Sequence, residues 1–462
     1  MYFPRLLFKQ VMVKSSLNPS TQQEHMSLPR RPQNKSKLGC RECKAKRVKC
    51  DEAYPMCKRC QRQGLVCSSA PRLTRWQVET PWLSLQPKTH VHPRLLQYWL
   101  EKVSQASVID PEDNPFSFPI LEHVAQSPAL LHAIQSVSAS HEQFFPAKSP
   151  ILALEERGKA IACLRREINQ VQRAPYTHFL TIILLALTHV ADSDPKEYGK
   201  QHLFGARALI NSMLRDISMS TSNDPVVRLC LGIYLYWDMC SSFLVDPCEP
   251  QCLNLLNMSL AVHRMGDWHH PMYGTCSRLL LIIANVGRYC RQIHDMPQNR
   301  NPTQEAMLEA QLRAWMTSPP NPDLGHLYEA FRNHGLVFLY RSRAHAQRGC
   351  PTDPDVTEAQ ETLILQYAEE TVHHLLLIPA SSYSLNFQSL PLLAAGSELT
   401  ESNHFLRDEV RDRLRAIYSL NRLPANLMAL QLLEELWDAR DSGNPSFWLS
   451  HTLQKDWRLL LT

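Results

Sequence analysis

Residues 40–67 read CRECKAKRVKCDEAYPMCKRCQRQGLVC, and the six cysteines in this stretch decide how the chain is organised. Two residues separate Cys40 from Cys43, and six more lead to Cys50. After a six-residue connection the spacing repeats in Cys57, Cys60 and Cys67. The stretch is a short internal duplication, two copies of C-x2-C-x6-C.

Counting ligands gives the chemistry. Zinc prefers four soft or borderline ligands arranged tetrahedrally, and thiolate is the best of them. Two separate four-thiolate sites need eight cysteines, and this stretch has six. Both ions become four-coordinate if two sulfurs are shared, which makes a compact binuclear cluster. Lys44, Lys46, Arg47 and Lys49 lie in the loop that the cluster ties down, against the negative charge of the thiolates. So small a segment cannot bury enough apolar surface to fold alone, and the metal supplies most of its folding free energy.

Other chemistries use cysteine clusters, and the sequence argues against them. A disulfide framework belongs to small secreted domains, and no signal peptide is expected ahead of these cysteines. A ring-type zinc site needs a histidine, and none lies between Cys40 and Cys67. Charge is distributed unevenly. From Arg30 to Arg62 there are twelve Lys/Arg and three Asp/Glu, a balance of +9 against +5 for the whole chain. The rest of the chain is therefore slightly acidic. Positive charge concentrated at a metal-folded module is the footprint of an element that binds duplex nucleic acid.

The stretch resembles the fungal Zn2Cys6 binuclear-cluster DNA-binding domain, through the basic half CRECKAKRVKC and Pro55 in the connecting loop. That resemblance implies two zinc ions held by Cys40, Cys43, Cys50, Cys57, Cys60 and Cys67, with Cys40 and Cys57 bridging. It implies a first helix starting at the second cysteine, with its C-terminal end directed into the major groove at a CGG triplet. By position, Lys46 and Arg47 then meet base edges, while Lys44 and Lys49 lie nearer the phosphates. The expected function is regulation of RNA polymerase II transcription in the nucleus.

Four regions are expected: a disordered basic N-terminus (1–38), the cluster (39–68), a proline-containing linker (69–92) and a large all-α domain (93–462). The run RRPQNKSKLGC, with Lys44 to Lys49, fits a nuclear import signal. Pro71, Pro81 and Pro87 break any heptad helix after the cluster, so monomeric binding or dimerisation through the helical domain is expected. Beyond Pro93 nearly every segment has helical periodicity. Ser127 caps a helix whose first residue is Pro128, and further runs fall near 153–171, 176–190, 198–215, 226–245, 278–291 and 324–348. FLRDEVRDRLRAIY places Leu406, Val410, Leu414 and Ile417 on one stripe with Asp and Arg opposite, and NLMALQLLEELW groups Leu430, Leu433, Leu436 and Trp437. The apolar run YTHFLTIILLALTHV is too short for a bilayer, so no membrane association is expected. The eight cysteines outside the cluster are expected to be buried thiols.

This long region resembles the fungus-specific transcription-factor regulatory domain. The likeness is carried in order by NPFSFPILEHVAQSPALLHAIQSVSASH, GKAIACLRREI, LFGARALI, YGTCSRLLLIIANVG, LPLLAAGSELTESNHFLRDEVRDRLRAIY and LPANLMALQLLEELW. It is nearest the branch of sterol-uptake and other metabolic regulators. There the helical domain is thought to sense a ligand or hold the protein inactive.

An enzyme is the competing expectation, and its motifs are missing. There is no G-x-S-x-G, H-E-x-x-H or G-x-x-x-x-G-K-[ST]. His269–His270 and His373–His374 are neighbours that do not face one site, so surface or loop roles are expected, and Glu155–Glu156 looks like a solvated helix face. Double-stranded DNA is the expected partner, alongside transcriptional co-regulators. A small apolar ligand between helices is a third expectation, although a solid core made of the same residues is the favoured one.

Overall fold

The structure, a computed structural model, describes residues 39–68, 91–142, 149–169, 175–191, 194–196, 198–215, 224–249, 255–319, 321–347 and 354–462. The N-terminal segment 1–38, nearly all of the 69–92 linker, Cys252 and Cys350 lie outside these residues. Among the described residues every regular element is a helix, and extended backbone pairs only in an isolated bridge between His270 and Gly274.

Two five-residue helices, α1 (Arg41–Ala45) and α2 (Lys58–Arg62), frame the cysteine module. Each opens on the first cysteine of its half. The Cys40 sulfur accepts the Cys43 amide at 3.4 Å, and the Cys57 sulfur accepts the Cys60 amide at 3.4 Å. These contacts do the work of an N-cap oxygen. They also move the start of the first helix, expected at the second cysteine, to Arg41. Both helices then stop at the same place in the repeat. Val48 donates to the Cys43 carbonyl (3.0 Å) and Leu65 to the Cys60 carbonyl (2.9 Å). Just before each donor the backbone turns left-handed, at Arg47 (φ +54°) and Gly64 (φ +57°).

The remaining helices are α3 (Pro93–Tyr98), α4 (Ile120–Val124), α5 (Pro128–His141), α6 (Ser149–Ile168), α7 (Pro175–Ala191) and α8 (Lys200–Arg215). They continue with α9 (Pro225–Ser241), α10 (Leu255–Met265), α11 (Ser277–Asp295), α12 (Pro302–Ala314), α13 (Pro322–Ala346) and α14 (Pro354–Leu377). The last are α15 (Ser389–Gly396), α16 (His404–Asn421), α17 (Ala425–Asp441) and α18 (Trp448–Gln454). Prolines set many of the starts. Ser127–Pro128, Asp224–Pro225, Asn301–Pro302 and Asn321–Pro322 each place an accepting side chain at the N-cap and proline in the first turn. Proline lacks an N–H exactly where the helix has no use for one. The helix α12, absent from the expected runs, buries only Glu305, Leu308 and Leu312, a stripe too thin to stand out as periodicity.

In the core, α5 packs on α6 and α7, α11 on α9 and α13, and α13 on α14. Phe243, Phe338, Phe447 and Trp448 form an aromatic centre, with Phe243 and Trp448 edge-on at 5.2 Å between centroids. Leu406, Val410, Leu414, Ile417, Leu430, Leu433, Leu436 and Trp437 are all buried, as their spacing predicts.

Several polar residues lie deeper than expected. Glu156 is buried rather than solvated, held by His132 (2.7 Å), Gln135 (2.5 Å) and Lys159 (2.6 Å). His270 is buried and stacked on Tyr273 at 4.4 Å, donating from Nε2 to the Leu229 carbonyl (3.1 Å) while Nδ1 accepts the Met272 amide (3.2 Å). Arg407 and Arg413 also leave the solvent face expected of them. Arg407 forks onto Asp441 at 2.6 and 2.7 Å, and Arg413 donates to the Ile378 carbonyl at 3.0 Å. In each case burial is allowed because the polar group found hydrogen-bonding partners. Cys248 goes the other way and is exposed.

Candidate metal centre and nucleic-acid interface

The core of the cysteine module consists of its six cysteines with only Met56 packed against them. Among the described residues no aliphatic cluster of its own holds this module together, which points to the sulfurs as its cross-link. They form two groups of four, Cys40, Cys43, Cys50 and Cys57, and Cys40, Cys57, Cys60 and Cys67, and all of them are buried. Cys40 and Cys57 belong to both groups, which is the sharing that ligand counting requires. Sulfur separations are 3.8 Å for Cys40–Cys57, Cys40–Cys60 and Cys40–Cys50, and 3.7 Å for Cys43–Cys57. A tetrahedron with zinc–sulfur bonds of about 2.3 Å has edges of about 3.8 Å. The donor set therefore fits zinc in number, kind and size.

Electrostatics point the same way. Burial, with crowding by neighbouring sulfurs, pushes the Cys40 and Cys57 thiols far up and the Cys60 thiol up to about 11. These three sulfurs become thiolates together only against cations. Backbone amides of Glu52 (3.3 Å to Cys50) and Cys57 (3.4 Å to Cys67) also point at sulfur and spread its charge. Glu42 closes the module by accepting from the Ser68 amide and hydroxyl at 2.9 and 2.8 Å.

The four basic residues singled out by the sequence, Lys44, Lys46, Arg47 and Lys49, are all exposed and on one half of the module. Lys44 lies in α1, Lys46 caps its C-terminus, and Arg47 and Lys49 follow the left-handed turn. Lys46 and Arg47 thus project from the end of a helix rather than from its side.

The end of the second half, at Cys67, rests on the helical domain. The Cys67 amide donates to Ser419 Oγ at 3.1 Å, and Arg422 Nη2 donates to the Cys67 carbonyl at 3.0 Å. Met56 packs on the main apolar core, and Gly64 lies beside the Arg415 guanidinium. Nothing in the sequence flags these contacts, which join residues more than 350 positions apart.

Behind the same turn of α16 lies a cavity of about 100 Å³, with Val137, Leu187, Trp237, Met272, Phe387 and Arg422 in its walls. Two more wall residues, Ala106 and Ser107, belong to a 3₁₀ turn, and Val103 belongs to the π-type turn Trp99–Val103 that interrupts the run from α3. The helical domain is therefore not solid throughout. Among the described residues no helix is long and apolar enough to cross a membrane.

Comparison with known proteins is consistent with this geometry. Over 39 residues the chain is 51% identical to the "Zn(2)-C6 fungal-type transcription factor afumD" of Aspergillus fumigatus, covering 8% of this chain and 10% of that protein. Over 38 residues it is 53% identical to "Sterol uptake control protein 2" of Saccharomyces cerevisiae, covering 8% of this chain and 4% of that protein. Over 49 residues it is 45% identical to the "Aspercryptin biosynthesis cluster-specific transcription regulator atnN" of Emericella nidulans, covering 11% and 8%. The matched segments span a tenth or less of these relatives. No solved structure matches. The fungal Zn(2)-Cys(6) binuclear cluster domain matches residues 38–77, and the fungal specific transcription factor domain matches residues 94–462. With both matches and the sulfur geometry together, the chain belongs to the zinc-cluster fungal transcription factors.

Proposed function

We propose that this regulator reads a CGG-like triplet in the major groove and acts in the nucleus on RNA polymerase II transcription. Cys40, Cys43, Cys50, Cys57, Cys60 and Cys67 would hold two zinc ions, Cys40 and Cys57 being common to both four-sulfur groups. The metal would supply cross-linking and positive charge, and the protein residues do the reading. Lys46 and Arg47 donate to base edges, and Lys44 and Lys49 grip phosphate. In this reading the chain divides into a tail (1–38), the cluster (39–68), a linker (69–92) and a regulatory domain (93–462). It binds as a monomer or pairs through the helical domain, has no catalytic role, and responds to a small molecule held between helices.

The observation that carries the proposal is that all four basic residues stay exposed while the opposite half of the module is held by the helical domain. The module can meet a duplex without leaving its mount.

The test is binding of the full chain to duplexes with and without a CGG triplet at fixed salt, with zinc counted before and after a chelator. Two zinc per chain and a chelator-sensitive preference for CGG are expected. Arg47→Ala should cost about 1–3 kcal/mol at specific sites and relax base preference. Lys44→Ala should weaken all duplexes alike and lower the salt slope by about one. An Arg47→Ala chain that kept its base preference would remove Arg47 from the readout.

A further inference from the structure

The five residues Ser419 to Leu423, at the C-terminus of α16, have two faces. Ser419 and Arg422 hold the zinc module through the amide and carbonyl of Cys67. Asn421, Arg422 and Leu423 line the cavity. Arg422 is thus shared between the metal module and an internal space.

Arg422 is also held at a conformational cost. It ends α16 with φ +59°, a left-handed position that usually takes glycine, while its amide closes the helix on the Tyr418 carbonyl at 2.9 Å. A non-glycine residue held there stores about 1 kcal/mol, and such strain collects where a side chain is needed. Its Nε is buried without a hydrogen-bond partner, and among the described residues no carboxylate lies within ion-pair distance of its guanidinium. A buried donor of this kind can take an acceptor that a ligand supplies, and among the described residues Arg422, unlike Arg332, Arg343, Arg407 and Arg440, has no carboxylate on its other nitrogens.

The rest of the cavity indicates what supplies it. No acidic side chain lines it, and Val137, Leu187, Trp237, Met272 and Phe387 give it an apolar body. The turn itself is fixed from a second direction. The Tyr98 hydroxyl meets His141 Nδ1 at 2.9 Å, and His141 Nε2 donates to the Leu420 carbonyl at 2.9 Å. Its size limits the ligand. An apolar cavity of about 150 Å³ holds benzene, so about 100 Å³ suits an apolar chain of about three or four carbons and excludes a fused-ring body.

We propose that the cavity binds a short aliphatic carboxylate whose oxygens draw Arg422 off the Cys67 carbonyl, so that occupancy loosens the zinc module from the helical domain. A carboxylate is a stronger partner for a guanidinium than a peptide carbonyl, which gives the ligand a differential affinity for the released state. This rests on the ligand-responsive reading of the helical domain above and adds the site, the ligand class and the route.

The experiment is amide hydrogen exchange on the zinc-loaded full chain, with sodium butyrate and, separately, butan-1-ol. Butyrate should protect residues 187–188 and make the Cys67 amide exchange about tenfold faster, as expected when a hydrogen bond beside it is lost. Butanol should leave Cys67 unchanged. Ser419→Ala should give fast exchange at Cys67 without ligand while butyrate still protects 187–188. Arg422→Gly keeps the left-handed cap and so should fold, but its Cys67 amide should be fast from the start and butyrate should protect nothing. No protection by butyrate, protection without loosening at Cys67, or a full response in Arg422→Gly would each overturn the proposal. Duplex binding and zinc content on the same samples separate the outcomes, because their loss in the untreated chain would overturn the reading beneath instead.

Discussion

The zinc module and the helical domain solve the same problem by different physics. The module has six buried cysteines and one half-buried methionine for a core, so its stability lies in metal–sulfur bonds. The helical domain has a continuous apolar core running from Leu96 to Leu461 and needs no cross-link. One region exists only with its ligand, and the other would survive without it. The contrast suits a regulator in which the reading head is small and its support is large.

The strongest way to break that contrast is to remove a shared sulfur. Cys40 belongs to both four-sulfur groups, so Cys40→Ser should abolish both zinc sites and not one. Structural zinc contributes about 10–16 kcal/mol to such modules, so the module should unfold completely and duplex binding should be lost. Zinc counting and far-ultraviolet circular dichroism on the same sample check it. Helicity should be nearly unchanged, since α1 and α2 are five residues each. A chain that kept two zinc ions would show that Cys40 is not a ligand.

The converse change belongs in the helical domain. Leu433 is fully buried against Gly396. Leu433→Ala should cost about 3 kcal/mol through lost burial and the cavity left behind. Thermal unfolding followed at 222 nm should move down, while zinc content stays at two per chain. If zinc were lost as well, the two regions would be one cooperative unit.

Much of this was legible in the chain, for reasons that differ by region. The cluster announced itself because coordination geometry demands one residue type at fixed spacing, and the six cysteines have few other uses in that arrangement. Helices such as α9, α11 and α13 were visible because an apolar stripe recurs every three to four residues and a capped proline marks several starts. Glu156, His270 and Arg413 were misplaced because a charged or polar residue reads as solvated until its partner is known. His132, Leu229 and Ile378 supply those partners from other segments. The mount was not legible at all. Ser419 and Arg422 lie in an ordinary helix end, and only the folded chain brings them to Cys67.

Glu156 offers a sharper probe of the helical domain alone. Although burial opposes its charge, bonds from His132, Lys159 and Gln135 hold its carboxyl down to about 2. A depressed folded value means that the contribution is complete above the unfolded carboxyl value, about 4.3, and is lost as pH falls from there toward 2. Glu156→Gln removes the charge and strands its partners. It should cost about 2–3 kcal/mol at pH 7, and the gap to the native chain should narrow as pH drops below about 4. Urea unfolding at pH 7 and pH 3 measures both. A gap that did not change with pH would mean that packing, not charge, accounts for Glu156.

The smallest expected effect tests the comparison inside the module, between its two halves. Arg47 and Gly64 occupy equivalent places, each seven residues after the first cysteine of its half and each left-handed. Glycine adopts that conformation freely, whereas arginine pays about 1 kcal/mol for it. Both positions are exposed, but the half with the four basic residues carries the strained residue and the half that ends on the helical domain carries the relaxed one, as expected if a side chain is needed only where DNA is met. Arg47→Gly should therefore strengthen the module, with zinc retained against a competing chelator about fivefold better, even as specific duplex binding weakens. Gly64→Ala should do the reverse, loosening zinc by a similar factor and leaving base preference intact. Stability and recognition would then move in opposite directions at one position and separately at its twin. If Arg47→Gly lost zinc more easily, the side chain would be supporting the cluster itself, and the division of labour between the halves would fail.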